Sequence, residues 1–166
     1  MEDPKELWQE KGQAEKNHLF ELLGPYHLRK IEHIGSTAVP GLAAKPVIDL
    51  MAKLKDFSKM GPITDLLQKD SWVHIPTPEG EEEWRKYFIK IHNNKRVAHL
   101  HIVDEGSKKW DEHLCFRDAL RNSTALVGEY AALKIKLAKQ YSHDRELYTK
   151  NKSDFIQSVI KQRNTN

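Results

Sequence analysis

Apolar residues recur at Leu7, Trp8, Ala14, Leu19, Leu22 and Leu23, a rough stripe of helical period that Gly24-Pro25 closes. Asp3-Pro4-Lys5-Glu6 reads as the start of that helix. Asp3 would cap it, Pro4 would sit where its missing N–H costs nothing, and Glu6 completes a box-like pattern. Residues 30–34 predict a short strand, followed by the Gly35-Ser36-Thr37 turn. Pro40 and Gly41 forbid a long helix, so residues 37–45 are expected to be loop with at most a helical turn or two. Residues 46–52 are the most apolar run, and seven residues after a proline predict a buried central strand. Residues 56–67 have helical spacing interrupted by Gly61-Pro62, and 72–75 read as a strand. A polar loop over 76–83 carries three consecutive glutamates. Residues 84–92 and 97–103 alternate as two strands of a hairpin turned at Asn93-Asn94-Lys95. Three helices are expected over 110–121, 124–141 and 149–161. Helix, mixed sheet, then a helical half is an α+β layout.

Composition narrows the function classes. The 166 residues suit about one domain. At 39% hydrophobic and 31% charged, the chain has enough apolar material for a core. Four Trp, five Tyr and five Phe exclude bulk disorder. No apolar run approaches the roughly 18 residues of a membrane span. The charged start Met1-Glu2-Asp3-Pro4 leads into no secretory signal. Cys115 is the only cysteine, which excludes an internal disulfide and a multi-cysteine zinc site and suits a reducing cytosol. A net charge of +3, evenly spread, lacks the clustered basic face of a nucleic-acid binder. The expectation is one cytoplasmic domain over residues 1–166, off the membrane, acting on a small molecule.

Three groups of residues can carry chemistry. Gly35 leaving a strand lets backbone N–H groups approach an anion, and Ser36 and Thr37 add hydroxyl donors. Asp49 lies on the next strand, sharing a face with Val47 and Met51, where a carboxylate is costly unless paired or bound to a cation. The alternative is a tight turn with a buried Asp that accepts from backbone amides. His99 and His101 share one strand face about 6.6 Å apart, suited to one metal or one phosphate, or simply exposed. His33 precedes the turn and could line the same cleft. Arg117 and Arg121, four apart on a helix, could clamp a polyanion or belong to structural ion pairs. Tyr130, Lys134, Tyr141 and Tyr148 read as packing.

These motifs together resemble the GrpB family. The resemblance rests on the unbroken stretch from Glu32-His33-Ile34-Gly35-Ser36-Thr37 through Ala43-Ala44-Lys45-Pro46-Val47-Ile48-Asp49. It continues in His99-Leu100-His101, in Phe116-Arg117-Asp118-Ala119-Leu120-Arg121, and in Tyr130, Lys134, Tyr148 and Lys152. It implies a polymerase-beta-like nucleotidyltransferase fold, a mixed sheet flanked by helices, with Gly35-Ser36 as the Gly-Ser element. Members of this family occur alone and as an extra domain of dephospho-CoA kinases. The superfamily pattern has two carboxylates two apart on the second strand and a third on a later one. Here position 51 is Met, and the later strand carries His99 and His101 with no acid before Asp104. Two-metal chemistry needs ligands bridging ions about 3.5–4 Å apart. One Asp with two His looks more like a single, softer site.

Two functions follow as expectations. The first is metal-dependent transfer of a nucleotidyl or phosphoryl group to a small acceptor. Gly35, Ser36 and Thr37 would hold phosphates, with Asp49, His99 and His101 on Mg²⁺, Mn²⁺ or Zn²⁺ and Asp49 catalytic. Lys45 or Arg117 would neutralise developing charge. The second is a catalytically degenerate accessory module that binds a nucleotide or phosphorylated metabolite in the same cleft. A metal-dependent phosphohydrolase, with water as acceptor, would use the first site unchanged.

Overall fold

A computed structural model of the chain describes residues 1–165. Five strands, β1 (Leu28–Ile34), β2 (Ile48–Leu54), β3 (Trp72–Ile75), β4 (Lys86–His92) and β5 (Lys95–Asp104), form one sheet in the order β1-β2-β5-β4-β3. Only the β2–β5 pair is parallel, so the sheet is mixed. Helices α1 (Leu7–Leu23) and α2 (Met60–Lys69) cover one face. Helices α3 (Lys108–Arg121), α4 (Thr124–Gln140) and α5 (Arg145–Asn164) form the helical half. The expected α+β class is the observed one.

Alternation along the strands divides the residues between two cores. Leu50, Ala52, Leu100, Ile102 and Phe88 point down onto Trp8, Leu19, Leu23, Ile63 and Leu67 of α1 and α2. Ile34, Met51 and Val103 point up onto Trp110 of α3. A third cluster, Val39, Leu42, Leu120 and Tyr130, joins the loop after β1 to α3 and α4. Asn93 and Asn94, with φ of 50° and 58°, make the two-residue hairpin turn between β4 and β5. Both residues must be left-handed there for the turn to match strand twist, and Asn tolerates that.

Several boundaries depart from the pattern. Asp3 and Pro4 do not start a helix, because the Glu2 N–H and C=O are both bonded to Ala44, which holds residues 1–4 off α1. Pro62 does not interrupt α2; it falls in the first turn, where an N–H has no intrahelical partner to lose. Helix α5 begins four residues earlier than expected, capped by the Asp144 side chain on the Leu147 N–H. Strand β4 begins at Lys86, leaving Trp84 and Arg85 outside the ladder.

His33 points away from the expected cleft. It pairs with Leu50 on the α1 face, and its Nε2 donates to Thr37 Oγ1 at 2.9 Å. Burial lowers its pKa to about 4, so the ring is neutral at pH 7. It lies against Gly12 of α1, where a Cβ would stand 2.6 Å from the ring Cε1. Alanine is worth about 1 kcal/mol more than glycine inside a helix. Overpacking costs about 1–3 kcal/mol. Gly12→Ala should therefore lower the urea midpoint, and Gly12→Ala with His33→Ala should recover part of it. A rise in midpoint for the single variant would show that the helix approaches His33 less closely.

Candidate functional site

The parallel register of β2 and β5 sets Asp49 beside His99 and Met51 beside His101. Strand β1 adds Ile34 beside Asp49, and β4 adds Tyr87 beside His101. All of these side chains share the upper face. His99 Nδ1 lies 2.8 Å from Asp49 Oδ1; the carboxylate can only accept, so Nδ1 carries the proton. His99 Nε2 is buried with no hydrogen-bond partner among the described residues. The ring meets the edge of Tyr87, with centroids 5.6 Å apart.

Gly35 brings the chain across Asp49. Its φ is +73°, which glycine adopts without strain, and a Cβ there would stand 2.7 Å from Asp49 Oδ2. Beyond it, Ser36–Ala38 make a single 3₁₀ turn. Three side chains from the helical half hold this segment. Arg117 Nη1 donates to Glu32 and to the His33 carbonyl at 2.7 and 3.0 Å, and its Nε donates to Asp118. Burial opposes the Arg117 charge, but its carboxylate partners override this and raise its pKa. Arg121 Nε donates to the Ala38 carbonyl at 2.9 Å. Lys134 Nζ bridges Ser36 Oγ and the Ala43 carbonyl at 3.1 and 2.7 Å, tying the two ends of the loop together.

A cleft of about 610 Å³ opens between this turn, the upper sheet face and α5. Asp49, Ser36 and His101 border it on one side, and Arg145, Thr149, Lys152 and Ser153 on the other. The last four recur at helical spacing along α5 and form one polar stripe. Arg85 closes one end, with its guanidinium over the Trp84 and Tyr87 rings and Nη1 against His101 Nδ1. Arg85, Arg145 and Lys152 have no carboxylate partner among the described residues. Burial pulls the Lys152 pKa down, against the opposing pull of Asp49. Tyr130 rises above its ordinary range through burial, then through Tyr148 and Asp49.

The structure thus brings Gly35, Ser36, Asp49, His101 and Arg117 to one cleft. It does not bring Thr37 there: Thr37 is buried on the His33 side and donates to the Val47 carbonyl. Lys45 is exposed outside the lining, close enough for its charge to disfavour that of Lys152. His99 lies behind Asp49 and reaches the cleft only through it. Arg117 and Arg121 anchor the turn instead of forming a free clamp. Pattern reading missed Arg85 and Arg145, took Lys134 for packing, and had Lys152 only within the family resemblance. One signal was available for Arg85, the two cations between aromatics in Trp84-Arg85-Lys86-Tyr87.

Asp49, His99 and His101 are not arranged as metal ligands, and no group of three His, Cys, Asp or Glu side chains is so arranged among the described residues. The reason is in the imidazoles. Arg85 can only donate, so His101 Nδ1 accepts from it and the remaining proton sits on Nε2. Burial, and after it the Arg85 charge, keeps that ring neutral. Neither nitrogen of His101 has a free lone pair. Met51, fully buried among Ile34, Val103 and Trp110, offers only a soft thioether. The donor set does not fit the two-ion site that the sequence resemblance implied.

The fold and site together define a class: a mixed-sheet α+β protein in which a Gly-Ser turn, a strand carboxylate and a cationic helix enclose one cleft. The family model described as GrpB protein matches residues 1–162, and the chain belongs to the GrpB family. It is similar to the crystal structure of conserved protein GrpB from Enterococcus faecalis, with a TM-score of 0.82, 28% identity and 97% of each chain covered. The glutamate-rich protein GrpB of Alkalihalophilus pseudofirmus is 31% identical over 93% of this chain and 90% of its own length. UPF0157 protein YqkA of Bacillus subtilis is 34% identical over 93% of this chain, which spans only 44% of that protein. No helix among the described residues is long and apolar enough to cross a membrane.

Lys134 supplies a test of the loop anchor. Burial, with a smaller push from Lys152, lowers its pKa from 10.5 to about 8. Between those values the unfolded chain binds more protons than the folded one, so this group makes stability rise with pH across that window. Lys134→Met should remove that rise. Urea midpoints of the two proteins should diverge as pH increases from about 8 to about 10.5. A constant difference would show that Lys134 is not held below its ordinary value.

Proposed function

We propose that the chain binds a phosphorylated small molecule, a nucleotide or a phosphorylated metabolite, in the cleft between the sheet and α5. One observation carries this reading: Arg85, Arg145 and Lys152 converge there without carboxylate partners, beside the Ser36 turn. Arg85 and Lys152 are half-buried, and cations left unpaired there are costly unless an anion completes them, while the exposed Arg145 adds charge at the rim. Lys134 donates to Ser36 Oγ, and the Tyr130 oxygen is the other partner of that hydroxyl; a phosphate at the turn would take the Ser36 hydroxyl hydrogen in place of Tyr130. Lys152 and Arg145 would face the same group from α5. Asp49, whose Oδ1 accepts from His99, would orient a ligand hydroxyl or amine rather than its phosphate. No step in this reading runs through a divalent ion.

A second reading, nucleotidyl or phosphoryl transfer to a small acceptor, draws on the Asp49–His99 hydrogen bond next to the Gly35 turn. A carboxylate held by an imidazole can accept a proton from an acceptor hydroxyl. The two readings separate in one experiment. Pyrophosphate, nucleotides and CoA precursors are tested by thermal shift with and without Mg²⁺, Mn²⁺ and Zn²⁺. A ligand that binds only the folded state adds about 2.7 kcal/mol at a hundredfold excess over Kd. Pyrophosphate release from ATP, CTP, GTP and UTP is then followed with Mg²⁺.

A stabilising phosphorylated ligand and no fast turnover are expected. Steady pyrophosphate release that disappears in Asp49→Ala would instead establish the transferase. Hydrogen bonds to charged groups contribute about 1.5–3 kcal/mol, and about 1.4 kcal/mol is tenfold in affinity. Lys152→Ala should therefore weaken the stabilising ligand at least about tenfold, as read by calorimetry. If no phosphorylated probe binds the unaltered chain, the reading fails.

A further inference from the structure

We infer that Arg85 is the built-in cation of this cleft, so that the site takes a phosphate group in its metal-free form. This rests on reading the cleft as a phosphate site and goes further by specifying which form of the ligand it accepts. The superfamily pattern puts carboxylates at the positions of Met51 and on the following parallel strand. Here Met51 is buried under α3, its strand partner is His101, and the Arg85 guanidinium is bonded to His101 Nδ1. That guanidinium lines the same cleft as Asp49, near enough to feel its charge.

The way Arg85 is held leaves its charge available. Its guanidinium carbon lies 4.5 Å from the Trp84 ring centroid and 4.1 Å from that of Tyr87. Those π faces and one neutral imidazole orient the fork without neutralising it. Arg117, in the lining of the same cleft, shows the contrast: it is bonded to two carboxylates and a carbonyl. The stack around Arg85 is extensive. Trp84 lies over His101 and His113 at 6.0 Å each, and Tyr87 over His101 at 5.1 Å. Burial and the nearby cations hold both histidines below their ordinary pKa, so neither competes for protons or anions at neutral pH. A planar fork locked at the end of a cleft matches two oxygens of one phosphate. A metal–phosphate complex would instead bring a dication against Arg85, Arg145 and Lys152.

The probe is inorganic pyrophosphate, titrated calorimetrically into the full chain in metal-depleted buffer and again with Mg²⁺. Binding without metal is expected, weakened as Mg²⁺ sequesters the free anion. Arg85→Gln should weaken binding at least tenfold with thermal unfolding unchanged. Arg85→Lys, which keeps the charge and loses the fork, should fall between. A measurement on the unaltered chain needs no variant to fold: pyrophosphate should protect Arg85 from phenylglyoxal modification, read by peptide mass spectrometry. Binding that requires Mg²⁺, Mn²⁺ or Zn²⁺, or leaves Arg85 unprotected while Lys152→Ala abolishes it, overturns the role of Arg85 and leaves the phosphate site standing. Absence of pyrophosphate binding under every condition removes both.

Discussion

The close passage of Gly35 over the Asp49 carboxylate is the contact on which the cleft depends. It exists because β1 ends at Ile34, the residue paired with Asp49, and because the next residue can take a positive φ with no side chain to clash. Once the chain has turned there, Ser36 faces the helical half and Thr37 faces α1. One 3₁₀ turn thereby connects the upper surface of the sheet to the lower. Arg117, Arg121 and Lys134 then fix the segment by its carbonyls and hydroxyl. Main-chain acceptors at a sheet end must be satisfied somewhere. Here the helical half satisfies them, so turn and helices are specified by the same bonds.

The strands and their hairpin were legible because alternation and turn chemistry are local. Asn93-Asn94 and the alternation of Tyr87, Ile89, His99 and His101 needed no tertiary information. The family stretch from Glu32 to Asp49 made the Gly-Ser element legible as well. What local pattern could not show was which face of a strand meets which helix. His33 and Glu32 are adjacent, yet one lies under α1 and the other meets Arg117. The metal expectation for His99 and His101 failed to anticipate Arg85, which comes from outside the strands and uses the lone pair on His101 Nδ1. The cations of α5 look, in sequence, like any solvated helix face. Only the gap between α5 and the sheet makes them converge.

Arginine takes two opposite energetic parts within one site. Arg117 is a strut whose charge is matched by Glu32 and Asp118. Arg85 is oriented by aromatic faces and remains electrostatically open. Structural parts of a fold tend to agree at every level, from local propensity to charge matching. Local disagreements, such as an unmatched guanidinium or the orphan nitrogen of His99, concentrate at sites kept for something else.

Helix α5 packs chiefly on α3 and α4 and scarcely on the sheet. The joint is aromatic: Phe155 stacks on Tyr130 at 5.5 Å and meets Phe116 edge-on at 6.4 Å. The width of the cleft is therefore a calliper setting, governed at a joint whose rings Phe116 and Tyr130 also line the cleft. Exchange of one ring there would tilt the jaw carrying Arg145 and Lys152 while the Gly35–Asp49 jaw stayed fixed to the sheet. The span between the two jaws can thus change while the residues Arg145, Lys152, Gly35 and Asp49 stay the same.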